Sequence, residues 1–154
     1  MEKIAIFPGS FDPFTIGHES IVRRGMSLFD KIIIGIGSNS NKPGYFPLET
    51  RLKWIKAVFE NDRKIEVQTY QGLTVDFCIK TGAQYILRGI RTSADFEYER
   101  AIAQVNKKMR KDIETVILLT TPEMSSITSS IVRDIILHQG DASIFLPQKI
   151  YEQL

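Results

Sequence analysis

A chain of 154 residues with 43% hydrophobic and 25% charged residues has the balance of a soluble globular domain, long enough to bury an ordinary core without metal staples. Its net charge of +2 excludes a global electrostatic argument for nucleic acid or an anionic membrane as partner, so any anion site has to come from local placement of Lys and Arg. The single Cys78 excludes an internal disulfide, no Cys/His spacing suits zinc, and the longest apolar run, "IIIGI", is far short of the roughly 20 residues that cross a bilayer, so a reducing, cytoplasmic setting is expected.

The first apolar run, "KIAIF" at 3–7, follows an N-terminus without the long hydrophobic segment of a signal peptide. Four more β-branched runs come after it: "KIIIGI" at 31–36, "KIEVQT" at 64–69, "QYILR" at 84–88 and "TVILLT" at 115–120. Their apolar character is nearly continuous rather than alternating, which suits strands covered on both faces. Between them lie helix-like segments at 17–29, 48–60, 74–82 and 92–111. In the last, Tyr98, Ala101, Ile102, Val105 and Met109 keep helical spacing, and Thr92 with Asp95 predicts a capping box. A final helix over 129–139 is expected to end with Gly140 at C′, and "LPQKIYEQL" predicts a short terminal helix opened by Pro147.

Alternating strands and helices predict one doubly wound, Rossmann-like α/β domain over 1–154, with a five-stranded parallel sheet and right-handed crossovers. Ligands of such sheets bind beyond the carboxyl ends of the strands, where the chain order reverses. Loops 37–47, 70–74, 89–92 and 121–129 should converge there, as should the junction "FPGSFDPFTIGHES" (7–20). That rim carries His18, Lys42, Arg88, Arg91 and the hydroxyl cluster "MSSITSS" (124–130), with helix N-termini aimed at it. Cations, hydroxyls and helix N-termini together suit phosphate groups, so a polyphosphate is the expected ligand. The chain has no G-x-x-x-x-G-K-S/T loop and no G-x-G-x-x-G turn after its first strand, which argues against a P-loop ATPase and against a nicotinamide cofactor.

The residues "GSFDPFTIGH" (9–18) resemble the T/H-x-G-H signature of the nucleotidyltransferase superfamily, and "ITSSIVR" (127–133) resembles its second element, I-S-S-S/T-x-x-R. With Lys42, "ILRGIRTSADFEYE" (86–99) and "HQGDASIFLP" (138–147), the chain is similar from end to end to the bacterial phosphopantetheine adenylyltransferase family. The resemblance implies attack of the phosphate of 4′-phosphopantetheine on the α-phosphate of ATP, giving dephospho-CoA and pyrophosphate in coenzyme A synthesis. It implies that His18 stabilises the transition state, that Ser10 and Phe11 contact the nucleotide, and that Lys42 and Arg88 hold the acceptor phosphate. Ser10 and Thr74 would also line the acceptor site. Gly89, Ile90, Arg91, Glu99 and Met124, Ser125, Ser126, Ile127, Thr128, Ser129 and Ser130 would bind ATP, with Ser129 and Ser130 near its outer phosphates. Mg²⁺ is expected on the triphosphate, held by phosphate and water. The family is hexameric, and neither nucleic acid nor membrane is an expected partner.

Ser10 stands where the family often has Thr, Met124 and Ser126 where it often has other apolar or aromatic residues, and Thr128 where it has Ser; these changes bear on affinity. Two alternatives are another nucleotidyltransferase with a different acceptor or base, and a non-catalytic nucleotide sensor on the same fold. Other features read structurally: Asp12 as ordering the turn before Pro13, Cys78 as core packing, His138 as a helix-end partner and "NKKMRKD" (106–112) as a solvated helix end.

Overall fold

The computed structural model describes residues 1–154. Its five strands are β1 (Ile4–Gly9), β2 (Lys31–Gly37), β3 (Ile65–Tyr70), β4 (Tyr85–Ile90) and β5 (Glu114–Leu119), all parallel and ordered β3-β2-β1-β4-β5. The helices are α1 (Ile16–Gly25), α2 (Leu48–Val58), α3 (Thr74–Thr81), α4 (Ser93–Met109), α5 (Ser129–Leu137) and α6 (Gln148–Tyr151), with short 3₁₀ turns at Pro122–Met124 and Ser143–Phe145. The expected doubly wound sheet is therefore the observed one. Chain order reverses between β1 and β4, so the crevice that such a sheet offers to ligands opens above those two strands.

Alternation along each strand divides the core in two. Ala5 and Phe7 of β1 and Ile32, Ile34 and Ile36 of β2 face one side, where they meet Ile21 and Val22 of α1, Trp54 and Ile55 of α2, Val132 of α5 and Ile150 of α6. Ile6, Ile33 and Ile86 face the other side, against Val75, Phe77 and Cys78 of α3. Cys78 is fully buried, as its apolar neighbours predict, and burial pushes its thiol up to about 11. Helix α4 lies against β4 and β5, yet of its 17 residues only Glu99 is buried.

Two end details differ from expectation. Helix α5 closes in a Schellman arrangement, with the Gln139 N–H donating to the Ile136 carbonyl and the Gly140 N–H to the Ile135 carbonyl. The left-handed C′ position is thus Gln139, at φ 61°, and Gly140 follows it. At α4 the Thr92 side chain does accept from the Asp95 N–H, but Asp95 reaches past the cap to the Arg91 N–H. The box is half made, and the returning carboxylate fixes the β4–α4 loop instead.

Candidate active site

Two hollows and a wider groove, all open to solvent, meet above the carboxyl ends of β1 and β4. The first, about 310 Å³, is lined by Ser10, Phe11, Gly17, His18, Arg88, Gly89, Arg91, Glu99, Met124, Ile127 and Ser129, among others. A second, about 220 Å³, lies under α4 and adds Tyr70, Thr74, Ile102 and Asn106, with Arg88 and Glu99 forming the wall shared with the first. Lys42 lies in the third, a wide groove lined by the 37–47 loop, which shares Ser10 with the first. The arrangement is a branched cleft in which Ser10 and Arg88 sit at the branch points.

His18 is the N3 residue of α1 and takes the place that Glu or Gln usually fills in a capping box. The N-cap Thr15 accepts from the His18 N–H at 3.4 Å, and the Thr15 N–H donates back to His18 Nδ1 at 3.0 Å. An Nδ1 that accepts from an amide carries no proton, so the neutral ring holds its proton on Nε2. Phe7, Phe11 and Phe14 surround the ring at centroid distances of 6.4, 5.0 and 5.4 Å. Burial, aided by the charges of Arg88 and Arg91, lowers the imidazole to about 4. At neutral pH His18 is an uncharged, oriented hydrogen-bond donor. Phe11, which supplies one wall of this cage, is held buried at φ 49°, a left-handed conformation that a bulky side chain rarely adopts.

Arg88 leaves β4 with each of its three nitrogens already engaged. Its Nε and Nη2 donate to the two oxygens of buried Glu99 at 2.8 and 2.6 Å, and Nη1 donates to the Pro8 carbonyl at 2.6 Å. A guanidinium has five N–H groups, so two stay free for a ligand while the plane is locked. Glu99 therefore stands as the partner that orients Arg88. Arg91, exposed at the rim, has its Nε 3.5 Å from Asp95.

The hydroxyl cluster is divided in its tasks. Thr128 is the N-cap of α5 and accepts from the Ile131 N–H. Ser129 donates to the Pro13 carbonyl at 2.8 Å, tying the start of α5 to the β1–α1 junction beside the first hollow. Ser125 donates to the Pro122 carbonyl, and Ser130 accepts from Arg133. Met124, Ile127 and Ser129 line the hollow, whereas Ser125, Ser126, Thr128 and Ser130 lie outside its lining. Ile90 is buried among core residues, with its carbonyl accepting from the Thr120 N–H, and Thr74 pairs its hydroxyl with that of Tyr70 at 2.8 Å. Gly89 meets a packing demand of its own: a Cβ there would come within 2.8 Å of Ile21, so its absence lets α1 seat on β4.

The sequence alone does not place Thr15, Tyr98, Asp95 or Arg51 at the cleft, where all four lie. Thr15 was detectable, because T-x-x-H is a capping box with His in the fourth place. Arg51, 6% exposed, carries no such signal, since an arginine in "ETRLKW" looks like any solvated helix residue. Asp12 also departs from its expected part: both carboxylate oxygens accept from the distant Tyr45 and Phe46 N–H groups.

Comparison with known proteins places this geometry in a lineage. Residues 6–135 match the cytidylyltransferase-like family. The chain is 52% identical over 150 residues to a phosphopantetheine adenylyltransferase of Cytophaga hutchinsonii, covering 97% of this chain and 100% of that protein. Proteins of the same name from Flavobacterium johnsoniae and Bacteroides fragilis are 51% and 48% identical, over 95% and 94% of this chain and 95% of each relative. Among solved structures, a chain from Vibrio parahaemolyticus superposes with a TM-score of 0.69 at 20% identity, covering 99% of this chain and 98% of its own. A bifunctional NMN adenylyltransferase/ADP ribose pyrophosphatase from Francisella tularensis gives 0.71 at 17% identity, covering 95% of this chain and 45% of that one. The last two share the fold alone, whereas the three named relatives align along nearly the whole chain with about half of its residues identical. The chain belongs to the cytidylyltransferase-like family and, within it, to the family of the phosphopantetheine adenylyltransferases.

Proposed function

We propose that the protein transfers the adenylyl group of ATP to 4′-phosphopantetheine, releasing pyrophosphate and forming dephospho-CoA, a step of coenzyme A biosynthesis. The observation that carries this reading is His18: an uncharged imidazole with Nε2–H as its free donor, locked by a helix cap in a hollow flanked by two arginines. Phosphoryl-type transfer between two anions needs positioning and charge stabilisation more than proton removal. The acceptor phosphate monoester is already largely dianionic near neutral pH, so it attacks the α-phosphorus without a general base. One acceptor oxygen bonds to that phosphorus while its bond to the β-phosphate oxygen breaks, and the electron pair leaves with pyrophosphate.

In this scheme His18 Nε2–H donates to the α-phosphoryl oxygen as negative charge builds there. Arg88 meets the acceptor phosphate at the wall between the two hollows, its plane set by Glu99, and Lys42 approaches the same phosphate from the groove. Arg91 and the first turns of α1 and α5 receive the triphosphate, the N–H groups of such turns being free of intrahelical partners. The second hollow, with Tyr70, Thr74 and Ile102, suits the uncharged pantetheine arm.

Mg²⁺ enters on the nucleotide in this reading. The cleft contains no cluster of three His, Cys, Asp or Glu side chains, and its carboxylates are engaged, Glu99 by Arg88 and Asp95 by the Arg91 N–H, a set that fits a metal carried by phosphate oxygens and water rather than by a protein cage. When bound, the ion neutralises charge on the phosphates. A cytoplasmic homohexamer is proposed alongside, as the family resemblance implies, and the apolar Tyr98, Val105 and Met109 that α4 exposes support self-association. The test is to incubate the protein with ATP, Mg²⁺ and phosphopantetheine and identify the product by mass. Dephospho-CoA with stoichiometric pyrophosphate is the expected result; nucleotide binding without turnover would favour a sensor.

A further inference from the structure

The loop that carries Lys42 is built from glycine, asparagine, serine and proline, residues that do not hold a lysine at a chosen place by themselves. Lys42 is exposed and its ammonium has no ion-pair partner. One end of the loop is secured by Ser38, whose N–H and hydroxyl both donate to the Tyr70 carbonyl. The other end is held by something less ordinary. Asp12, 7% exposed, accepts the Tyr45 N–H on Oδ2 at 2.7 Å and the Phe46 N–H on Oδ1 at 2.9 Å. Arg51 stands beside it, 3.9 Å from Oδ1, and donates through Nε to the Phe46 carbonyl at 3.0 Å and through Nη1 to the Ser10 carbonyl at 2.6 Å.

We propose that Asp12 and Arg51 form a buried clamp that fixes residues 44–46 against the β1–α1 junction and thereby sets the reach of Lys42 to the phosphate-transfer centre. The pair holds both strips of backbone that matter, the one bearing Ser10 and the one starting two residues after Lys42. Gly44 belongs to the device: a Cβ there would lie 2.9 Å from both Arg51 Nη2 and Asp12 Oδ2, so a side chain would wedge the clamp apart. Asp12 has no role as an acid or base, because its oxygens are spent on amides and it is shielded from solvent. A carboxylate is required rather than an amide, since an asparagine offers one accepting oxygen and turns donors toward the second N–H.

Asp12 and Arg51 are thus positioning residues, and the consequence for Lys42 rests on the adenylyl-transfer reading above. The test compares Asp12→Asn and Gly44→Ala with the wild type, the second variant leaving the buried charges in place should the first fail to fold. Amide hydrogen exchange at Tyr45 and Phe46 should speed at least tenfold in both variants, and the KM for phosphopantetheine should rise about tenfold while ATP affinity stays within about twofold. Combined with Lys42→Ala, neither variant should weaken the acceptor further, because the clamp acts through that lysine. Equal losses for ATP and acceptor, additive losses on the Lys42→Ala background, or unchanged exchange at both amides would overturn the proposal. If the wild type makes no dephospho-CoA, it is the functional reading that fails, and the exchange measurement still decides whether the clamp holds the loop.

Discussion

In the adenylyl-transfer reading, His18 is the side chain that meets the charge developing at the α-phosphate. Its charge state follows from geometry, as Nδ1 is occupied by the Thr15 N–H, and from burial, which lowers it to about 4. Replacing it with alanine should reduce turnover by roughly a hundredfold or more with little change in ATP affinity, because the lost hydrogen bond strengthens only as charge develops. Steady-state kinetics beside nucleotide titration checks this, and near wild-type turnover would remove His18 from the mechanism. A second expectation concerns protons. The unfolded chain's imidazole takes one up below about 6.5, the folded one only near 4, so stability should fall as pH drops through that window, by on the order of 2 kcal/mol from this residue. Urea unfolding at pH 7 and pH 4.5 should show a smaller loss in His18→Gln than in the wild type; equal losses would place the imidazole near its ordinary value. The residue itself was legible in T-I-G-H. Its tautomer was not, because that depends on a three-dimensional bond inside the cap. Asp12 and Arg51 were illegible for a related reason: their partners are backbone atoms, most of them more than thirty residues away, which leave no pattern in side-chain identity.

At the level of elements, the five strands were readable because both faces of a parallel sheet are covered and the apolar runs are nearly unbroken. Their ends shifted by a residue or two where ladder hydrogen bonds outrun hydrophobicity, as β1 does through Pro8 to Gly9. Helix ends were less legible: α1 stops at Gly25 although the apolar pattern runs on to Phe29, whose ring turns back into the core. Gly89 illustrates how an element junction can imitate a binding motif. In "RGIR" it reads as a ligand-contacting glycine, and it does line the cleft, yet Ile21 of α1 occupies the space a side chain would need. Gly89→Ala should therefore push α1 off β4, costing about 1–3 kcal/mol of stability. The same change should cost less on an Ile21→Ala background, which removes the Cγ1 and Cδ1 atoms that stand in the way. Denaturant midpoints of the single and double variants measure it, and additive losses would show that the two positions do not compete for one space.

The whole molecule places its cleft where the sheet order reverses, and this much followed from counting strands and helices, since a β-α alternation with a nucleotide-like first turn leaves few topologies. What counting could not supply is the exterior of α4, where the apolar stripe of helical spacing faces outward. That stripe is the ground for expecting self-association: Val105→Glu with Met109→Glu should yield smaller species in sedimentation velocity, and an unchanged coefficient would remove α4 as the surface of self-association. Direction of the reaction is also a property of the whole site. Transfer exchanges one phosphoanhydride for another, so its equilibrium constant should lie within a few powers of ten of unity, each worth about 1.4 kcal/mol. Given dephospho-CoA, pyrophosphate and Mg²⁺, the protein should make ATP and phosphopantetheine. A single transition state serves both directions, so His18→Ala should lose forward and reverse rates in the same proportion. Mass-resolved assays of both directions with both proteins settle the point: protein that binds dephospho-CoA yet forms no ATP would sink the adenylyltransferase reading, and unequal losses would mean that His18 acts on one substrate's binding rather than on the phosphorus in transfer.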